Sequence, residues 1–316
     1  MIFTLLTGLP LSAAGAQTVY VSNERAASIS VIDAKSLKVV DTWAVGKRPR
    51  GIMLSRDGKF IYVCASDDNA VQVIDRATGK VVSDLPSGEN PETFALSPDG
   101  RLLFASNERD ATVTAIDVPG RRVAFQVVVG VEPEGMAVSP DGKTAVSTSE
   151  TDHALHWIDI PSQSVAGATP VDHRPRHAEF TADGRELWAT AEIGGTLHIV
   201  DTATRKVVET IRFPVPGVPP EKVLPVGVRF TPDGRTALVA LGRSNHVAIV
   251  EVATRKIRAL VPVGQRVWHL AITPDGRRAF AANGLSDTVS VIDIDAAKEI
   301  ASIPVGDAPW GVAIAP

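Results

Sequence analysis

A short turn sequence returns at nearly constant spacing along the chain. The tetrapeptides SRDG, SPDG, SPDG, TADG, TPDG and TPDG end at Gly58, Gly100, Gly142, Gly184, Gly234 and Gly276, so they are 42, 42, 42, 50 and 42 residues apart. A period of about 40 to 45 residues is typical of a four-stranded β-propeller blade. Between the first two of these tetrapeptides, β-rich runs alternate with Asp-Asn and Ala-Thr-Gly turns, and similar runs in the other units predict the strands of each blade.

A hexamer before each turn gives the number of blades. The hexamers GKRPRG, GENPET, GVEPEG, DHRPRH, KVLPVG, GQRVWH and GDAPWG begin at residues 46, 88, 130, 172, 222, 264 and 306. The last precedes one inner strand, VAIAP, whereas the N-terminal runs TVYVSNE, SISVID and KVVDTWAV lack an inner strand. We therefore predict an all-β, seven-bladed propeller of four-stranded blades, closed by pairing the N-terminal outer strands with the C-terminal inner strand.

The composition fits one large soluble domain. The chain has 316 residues, of which 44% are hydrophobic and 22% charged, and we assign residues 17–316 to the propeller. A net charge of −4 and the absence of a basic run give no reason to expect nucleic acid as a partner. Cys64 is the one cysteine, which excludes intramolecular disulfides and multi-cysteine zinc sites. We expect a monomer without a membrane span.

The N-terminal residues 1–16 have the pattern of a secretion signal. An apolar run from Ile2 to Leu11 is followed by Ala14-Gly15-Ala16, a small-x-small motif that would permit cleavage before Gln17. The positive charge that normally precedes such a run is missing, and a buried N-terminal strand is the alternative. We predict a cleaved signal peptide and a periplasmic mature protein.

The repeat also resembles a known family. The stretch TVYVSNERAASISVIDAKSLKVVDTWAVGKRPRGIMLSRDG resembles the YVTN β-propeller repeats, and the likeness extends over residues 17–316. The acidic, Pro-containing hexamers resemble those of the seven-repeat propellers associated with PQQ-dependent alcohol catabolism. This resemblance implies a periplasmic PQQ dehydrogenase or a c-type cytochrome as partner, and it implies no established chemistry or cofactor.

Positions at which the repeats differ are the candidates for function, since a constant repeat explains only the fold. In a propeller the hexamer opens the innermost strand at a face where loops meet around the channel mouth. The predicted ligand-binding residues there are Arg50, Glu92, Glu134, Arg176, His177, Glu179, Arg229, Trp268, His269 and Trp310. Gly or Ala occupies most equivalents of His177 and Glu179, which indicates close packing near the axis. Glu179 and Arg229 lie at one level in adjacent blades, so we predict an ion pair.

A cation site is one hypothesis for the predicted mouth. Its acidic side holds Glu92, Glu108, Glu134, Glu150 and Glu192, and its other side holds Arg50, Arg243, Trp268 and Trp310. Carboxylates suit a hard divalent cation, whereas histidine would suit a softer one. The metal candidates are Glu108, Glu150, Glu192 and His177, although no known ligand spacing supports them. The alternative is a structural charge lattice in which these glutamates pair with Arg50, Arg176 and Arg229.

Catalysis and binding are the other hypotheses for the same mouth. In a lactonase-like, metal-dependent hydrolase, His177 or His269 would act as base and Glu134 or Glu150 as orienting carboxylate or ligand. A binding or scaffold protein would instead use Trp268 and Trp310 to stack on a conjugated ligand, although both rings would equally close the channel as core. We favour the binding role over the hydrolase.

One insertion interrupts the repeat. The eight extra residues lie in RFPVPGVPPEKVLP, residues 212–225, whose five prolines keep the segment stiff and out of a sheet. It would serve either as a flap beside the mouth or as a tolerated surface insertion. An aspartate that recurs once in nearly every blade, beginning with Asp33 and Asp75, is predicted to stabilise a turn.

Overall fold

The computed structural model describes residues 17–315, so the predicted signal peptide and Pro316 lie outside the described residues. The strands are β1 (Thr18–Asn23), β2 (Ser28–Asp33), β3 (Lys38–Ala44), β4 (Pro49–Leu54), β5 (Phe60–Ala65), β6 (Ala70–Asp75), β7 (Lys80–Pro86), β8 (Pro91–Leu96), β9 (Leu102–Asn107), β10 (Thr112–Asp117), β11 (Arg122–Val128), β12 (Pro133–Val138), β13 (Thr144–Ser149), β14 (Ala154–Asp159), β15 (Ser164–Pro170), β16 (Pro175–Phe180), β17 (Glu186–Ala191), β18 (Thr196–Asp201), β19 (Lys206–Arg212), β20 (Val228–Phe230), β21 (Thr236–Ala240), β22 (His246–Glu251), β23 (Ile257–Pro262), β24 (Val267–Ile272), β25 (Arg278–Asn283), β26 (Thr288–Asp293), β27 (Lys298–Pro304) and β28 (Pro309–Ala315). Two short 3₁₀ turns cover Ser66–Asp68 and Pro220–Lys222. Within residues 17–315 no helix is long and apolar enough to cross a membrane.

These strands form seven antiparallel four-stranded sheets, which confirms the predicted seven-bladed propeller. Blade 1 is β4-β5-β6-β7, and the next five blades follow in chain order up to β24-β25-β26-β27. Blade 7 has the order β28-β1-β2-β3, with Tyr20 opposite Ala313. The C-terminal inner strand therefore closes the ring on the N-terminal strands, as the sequence predicts.

Each blade is a meander whose first strand lies innermost, which gives the ring two different faces. We call the face with the connections between blades and the loops after each second strand the mouth face. The opposite turn face carries the tetrapeptide turns and the turns between third and fourth strands. In the first tetrapeptide turn, Gly58 has a φ of 67°, and Asp57 accepts hydrogen bonds from Ser55 Oγ (2.6 Å) and the Lys59 amide (3.1 Å). Glycine takes this conformation without steric cost.

The recurring aspartate of the third strand stabilises the other turn, as predicted. Asp33 Oδ1 accepts a hydrogen bond from the Ser36 amide (2.6 Å), and Asp75 Oδ1 accepts one from the Thr78 amide (2.9 Å). The equivalents Asp117, Asp159, Asp201 and Asp293 accept the same bond. These residues hold the blade frame and lie away from the channel.

Apolar side chains fill the spaces between neighbouring blades. Trp157, Trp188 and Phe104 are fully buried there. Near the axis the blades approach so closely that a Cβ on Gly51 would lie 3.0 Å from the Glu92 carbonyl oxygen. Glycine at this hexamer position is therefore a packing requirement, which confirms the predicted crowding.

The proline-rich insertion packs between blades 4 and 5 on the mouth face. Phe213, Val215 and Val223 are buried in the cluster that also contains Trp188. No residue of 212–225 lines the central cavity described below. Part of the insertion therefore packs as a wedge between the blades, unlike a merely tolerated surface insertion, and its role as a flap beside the mouth stays a prediction.

Candidate functional site

A cavity of about 290 Å³ occupies the centre of the ring. Its lining runs from Gly51 and Trp310 to Arg56, Pro140 and Thr181 beside the tetrapeptide turns, so it opens toward the turn face. The mouth face is closed above it by charged side chains. The channel is therefore a pocket with one open end.

Arginines and glutamates alternate across the mouth face. We call this set the mouth lattice; its members are Glu24, Arg48, Arg50, Glu92, Glu134, Glu150, Arg174, Arg176, Glu192 and Arg266. Arg176 lies 2.6 Å from Glu134 and also pairs with Glu150. The side chains of Arg176 and Glu150 are each 4% exposed, so these opposite charges depend on one another for compensation.

The lattice joins neighbouring blades and also spans blade 5. Arg50 of blade 1 pairs with Glu92 of blade 2 and lies 3.1 Å from Glu24 of blade 7. Arg266 of blade 6 reaches Glu192 of blade 4 at 2.7 Å. This is the structural charge lattice that the sequence leaves open as the alternative to a cation site.

Protonation of one carboxyl removes the charge repulsion between the neighbouring side chains of Glu134 and Glu150. Burial raises the pKa of Glu134 well above its usual value, and the neighbouring Glu150 raises it further. Burial alone would also raise the pKa of Glu150, but a hydrogen bond from Glu134 and the charge of Arg176 lower it. Glu134 therefore holds the proton of this pair. Beside the lattice, burial and then Glu92 raise the pKa of Glu108 to about 7.

Two tryptophans complete the closure. Trp268 lies under Arg266, whose guanidinium carbon is 3.9 Å from the indole centroid, and Arg176 contacts the same ring at 5.4 Å. Trp310 is 1% exposed, with Arg50 at 5.4 Å. Guanidinium groups stack favourably on indole faces, so both rings help the mouth lattice to close the mouth face. Trp310 also lines the inner end of the cavity.

The polar groups of the cavity come from blades 4 and 5. Arg229 Nη1 donates to Glu179 Oε2 at 2.7 Å and to His177 Nε2 at 3.2 Å. The predicted ion pair between Glu179 and Arg229 is thus confirmed. Because Nε2 accepts from arginine, the proton of a neutral His177 resides on Nδ1.

Two buried histidines meet at the inner end of the cavity. The rings of His177 and His269 are 5.2 Å apart, and His269 lies 4.2 Å from Trp310. Gly227 separates the histidines along the ring of inner strands; a Cβ there would lie 3.1 Å from His269 Nδ1. Burial holds the pKa of both histidines well below the usual range, and Arg229 lowers each further. Both rings are therefore neutral at pH 7.

The structure divides the predicted site residues between two places. Arg50, Glu92, Glu134 and Arg176 belong to the mouth lattice with Trp268 stacked on it, whereas His177, Glu179, Arg229, His269 and Trp310 line the cavity. The metal candidates are divided as well, since Glu150 and Glu192 bind arginines and His177 lies in the cavity. Within residues 17–315 no group of three or more His, Cys, Asp or Glu side chains is placed to hold a metal ion.

The predicted catalytic pairing also spans these two places. Glu134 and Glu150 bind Arg176, and within the described residues neither forms a hydrogen bond to His177 or His269. The carboxylate on the cavity side is Glu179, which reaches His177 through Arg229. A cavity chemistry would therefore use Glu179 where the sequence suggests Glu134.

Three arginines of the mouth lattice are not among the site residues predicted from the sequence. Arg48, Arg174 and Arg266 occupy the third hexamer position, and each has a positive φ, 53°, 64° and 57°. The signal is present in the sequence, because arginine recurs at this position in three of seven hexamers. Its meaning depends on which glutamates stand opposite in other blades, which only the closed ring defines.

The fold and the cavity define a class: seven-bladed propellers with a one-ended central pocket. The family model described as "Lactonase, 7-bladed beta-propeller" matches residues 136–302, and the model described as "YNCE-like beta-propeller" matches residues 10–96. The chain belongs to this seven-bladed, lactonase-type propeller family. No curated protein matches the sequence.

Solved structures share the fold at low identity. One is hydrazine synthase of Kuenenia stuttgartiensis, with 23% identity and a TM-score of 0.77 over 87% of this chain and 92% of that chain. Another is a functionally unknown protein from Desulfotomaculum acetoxidans DSM 771, with 14% identity and a TM-score of 0.82 over 94% of this chain and 98% of that chain. At these identities the likeness shows the fold alone.

Proposed function

We propose that this protein binds a small organic molecule in the central cavity, entered from the turn face. The observation that carries the proposal is the chain Glu179–Arg229–His177 in a wall that is otherwise mainly apolar. Pockets of this kind, with an apolar lining and a few convergent polar groups, are the usual form of a ligand site.

The pattern of the repeat supports binding over simple packing. At the level of Glu179 and Arg229, four of the other five inner strands carry alanine, namely Ala95, Ala137, Ala271 and Ala313, and the fifth carries Met53. The mouth lattice already ties the blades together on the other face. The fold therefore has no evident need for an additional ion pair in the channel, whereas a ligand site does.

Hydrolysis of a lactone is the second candidate, because the matched family model is described as a lactonase. In such a reaction water attacks the ester carbonyl carbon, the ring C–O bond breaks, and the released oxygen takes up a proton to give a hydroxy acid. Neutral His269, whose Nε2 has no hydrogen-bond partner within residues 17–315, would accept the proton of water, because Nε2 of His177 already accepts from Arg229. Arg229 would stabilise the negative charge on the carbonyl oxygen. A purely binding protein would hold the lactone unchanged.

A blocked channel tests both candidates. Ala137 lines the cavity and is 6% exposed, and the cavity has room for a phenyl ring, so Ala137→Phe should obstruct it while the protein stays folded. We expect the variant to lose binding of small lactones and hydroxy acids, measured by saturation-transfer NMR, and to lose any turnover seen by pH-stat. Ala26→Phe, at an exposed position on the mouth face, is the matched control. Equal binding by both variants would overturn the proposal.

We also propose, from the sequence and its resemblance, that the protein is exported and acts beside a PQQ dehydrogenase or a c-type cytochrome. The proposal is supported by the apolar N-terminal run and by the hexamers quoted above. The mass of the protein recovered from the periplasm tests it, since cleavage before Gln17 predicts one defined N-terminus. Recovery of the uncleaved chain from the cytoplasm would contradict it.

A further inference from the structure

We propose that the cavity binds a small monocarboxylate with an apolar body, whose carboxylate is held by Arg229. This inference rests on the proposed function and names the chemical class of the ligand. It follows from three features: the unused donors of Arg229, the charge of the cavity lining, and the shape of the apolar wall.

Arg229 has donors to spare. Its Nη1 makes both hydrogen bonds, to Glu179 and His177, and neither Nη2 nor Nε has a partner within residues 17–315. The side chain is 35% exposed, so these two nitrogens remain accessible. A guanidinium presents such a pair of N–H groups in a fixed fork that matches the two oxygens of a carboxylate.

Glu179 orients this fork without neutralising the cavity. The charged side chains of the lining are Arg56, Arg229 and Glu179, which leaves a formal charge of +1 because both histidines are neutral. Arg56 lies at the rim, where it donates to the carbonyl oxygens of Leu96 and Ser97. One anionic group on the ligand therefore balances the lining, whereas a second would remain uncompensated.

The rest of the lining suits an apolar body. The wall residues that would contact it are Ile52, Met53, Phe94, Leu96, Met136 and Phe180. The volume of about 290 Å³ lies at the lower end of the range of roughly 300–1,000 Å³ seen for ligand pockets. A compact aliphatic or monocyclic acid fits this space.

Isothermal titration with three eight-carbon probes tests the inference on the full-length mature protein. We expect octanoate to bind, and octan-1-ol and octylammonium to bind at least tenfold more weakly. Arg229→Met should weaken octanoate binding by about 10- to 100-fold, since a hydrogen-bonded charge contributes about 1.5–3 kcal/mol. Arg243→Gln removes an exposed arginine of the same blade on the opposite face and should bind octanoate as the wild type does.

A second variant, Glu179→Gln, tests the inference independently if Arg229→Met fails to fold. Glu179→Gln keeps the size of the side chain and removes the competing anion, so it should bind octanoate more tightly than the wild type. Weaker or unchanged octanoate binding by Glu179→Gln would overturn the inference. Equal affinity for octan-1-ol and octanoate would also overturn it while leaving channel binding intact. If no probe binds the wild type, the inference fails; the Ala137→Phe comparison separately decides the proposed function.

Discussion

Glu108 and the two channel histidines are ionisable groups whose folded environments shift stability in opposite directions with pH. Glu108 binds a proton more tightly in the folded state, since burial and Glu92 raise its pKa to about 7. His177 and His269 bind a proton less tightly, since burial lowers the pKa of each well below its usual value. Each group therefore makes a separable contribution to the pH profile of the free energy of unfolding.

Replacing Glu108 should flatten one part of that profile. The usual pKa of glutamate is 4.5 and the folded value is about 7, so between these values the folded state carries more protons than the unfolded state. The contribution of Glu108 is therefore present below pH 4.5 and is lost as pH rises through 7. We expect Glu108→Gln to gain stability relative to the wild type between pH 5 and pH 8, measured by thermal denaturation across that range.

An exposed, uncharged side chain on the same face provides the control. Gln265→Ala removes a group that does not titrate, so it should leave the pH profile parallel to that of the wild type. Parallel profiles for Glu108→Gln and the wild type would show that the lattice does not hold Glu108 protonated. His177→Gln has the opposite sign, because a base with a lowered pKa costs stability as pH falls below about 6.5.

Individual residues of the site were predictable from the sequence where one residue departs from the repeat. His177, Glu179 and Arg229 depart from the Gly and Ala of their siblings, and two of them form the predicted ion pair. The direction in which each departure faces was not predictable. Arg176 and His177 are consecutive, yet Arg176 joins the mouth lattice and His177 lines the cavity, and the register of the first strand pair is irregular between Pro175 and His177.

The turn between the third and fourth strands of each blade holds one residue in the left-handed conformation, although its sequence does not predict this. In all seven blades the residue four positions after the recurring acidic residue has a positive φ; the residues are Leu37, Gly79, Arg121, Gln163, Arg205, Arg255 and Ala297. Glycine occupies the position once. The frame of the blade therefore overrides the local preference of six residues.

Ala297→Gly should stabilise the protein. Ala297 has a φ of 52°, and the equivalent Gly79 has 68°. An alanine in the left-handed conformation destabilises the folded state by about 1–2 kcal/mol. Glycine removes this cost, but its greater freedom in the unfolded chain offsets about 0.4–1 kcal/mol of the gain. We expect a net gain of about 0.5–1 kcal/mol in the free energy of unfolding, measured by urea denaturation.

The neighbouring residue gives the matched control for this prediction. Ala296 is exposed and has no positive φ, so Ala296→Gly should lower stability by about 0.5–1 kcal/mol. A loss of stability in both variants would contradict the left-handed strain at Ala297. Gly79→Ala should also be destabilising, since its Cβ would lie 2.5 Å from the Trp43 ring.

Strands and turns were predictable from the sequence because the period repeats each signal several times. The tetrapeptide turns, the recurring aspartates and the alternating apolar runs each mark the same boundary in successive blades. The insertion at 212–225 appears once, and its role depends on the space between blades 4 and 5. Burial of Phe213 and Val215 in that space is a tertiary fact that proline content alone does not define.

The whole ring is closed at one face and at one seam. Within residues 17–315 the mouth lattice links six of the seven blades, since blade 5, with Leu224 and Val226 in its hexamer, contributes no charge to it. The seam is blade 7, where β28 pairs with β1. The lattice links the blades at the mouth face, whereas the seam pairs residues that lie nearly a full chain length apart in the sequence.

A disulfide across the seam should stabilise the molecule more than the same bond within another blade. Val21 pairs with Val312 in blade 7, and Ile52 pairs with Val63 at the equivalent place in blade 1. The first pair would close a loop of about 290 residues and the second a loop of about 11. In the chain-entropy account these loops contribute about 6 and about 3 kcal/mol.

Both double-cysteine variants would be made with Cys64→Ala, so that the native thiol cannot exchange with the new pair. The quantity to compare is the change in urea midpoint between oxidised and reduced protein, which cancels the cost of the substitutions themselves. We expect a larger change for Val21→Cys with Val312→Cys than for Ile52→Cys with Val63→Cys. Equal changes would contradict the chain-entropy account, because they would show that the length of the closed loop does not set the stabilisation.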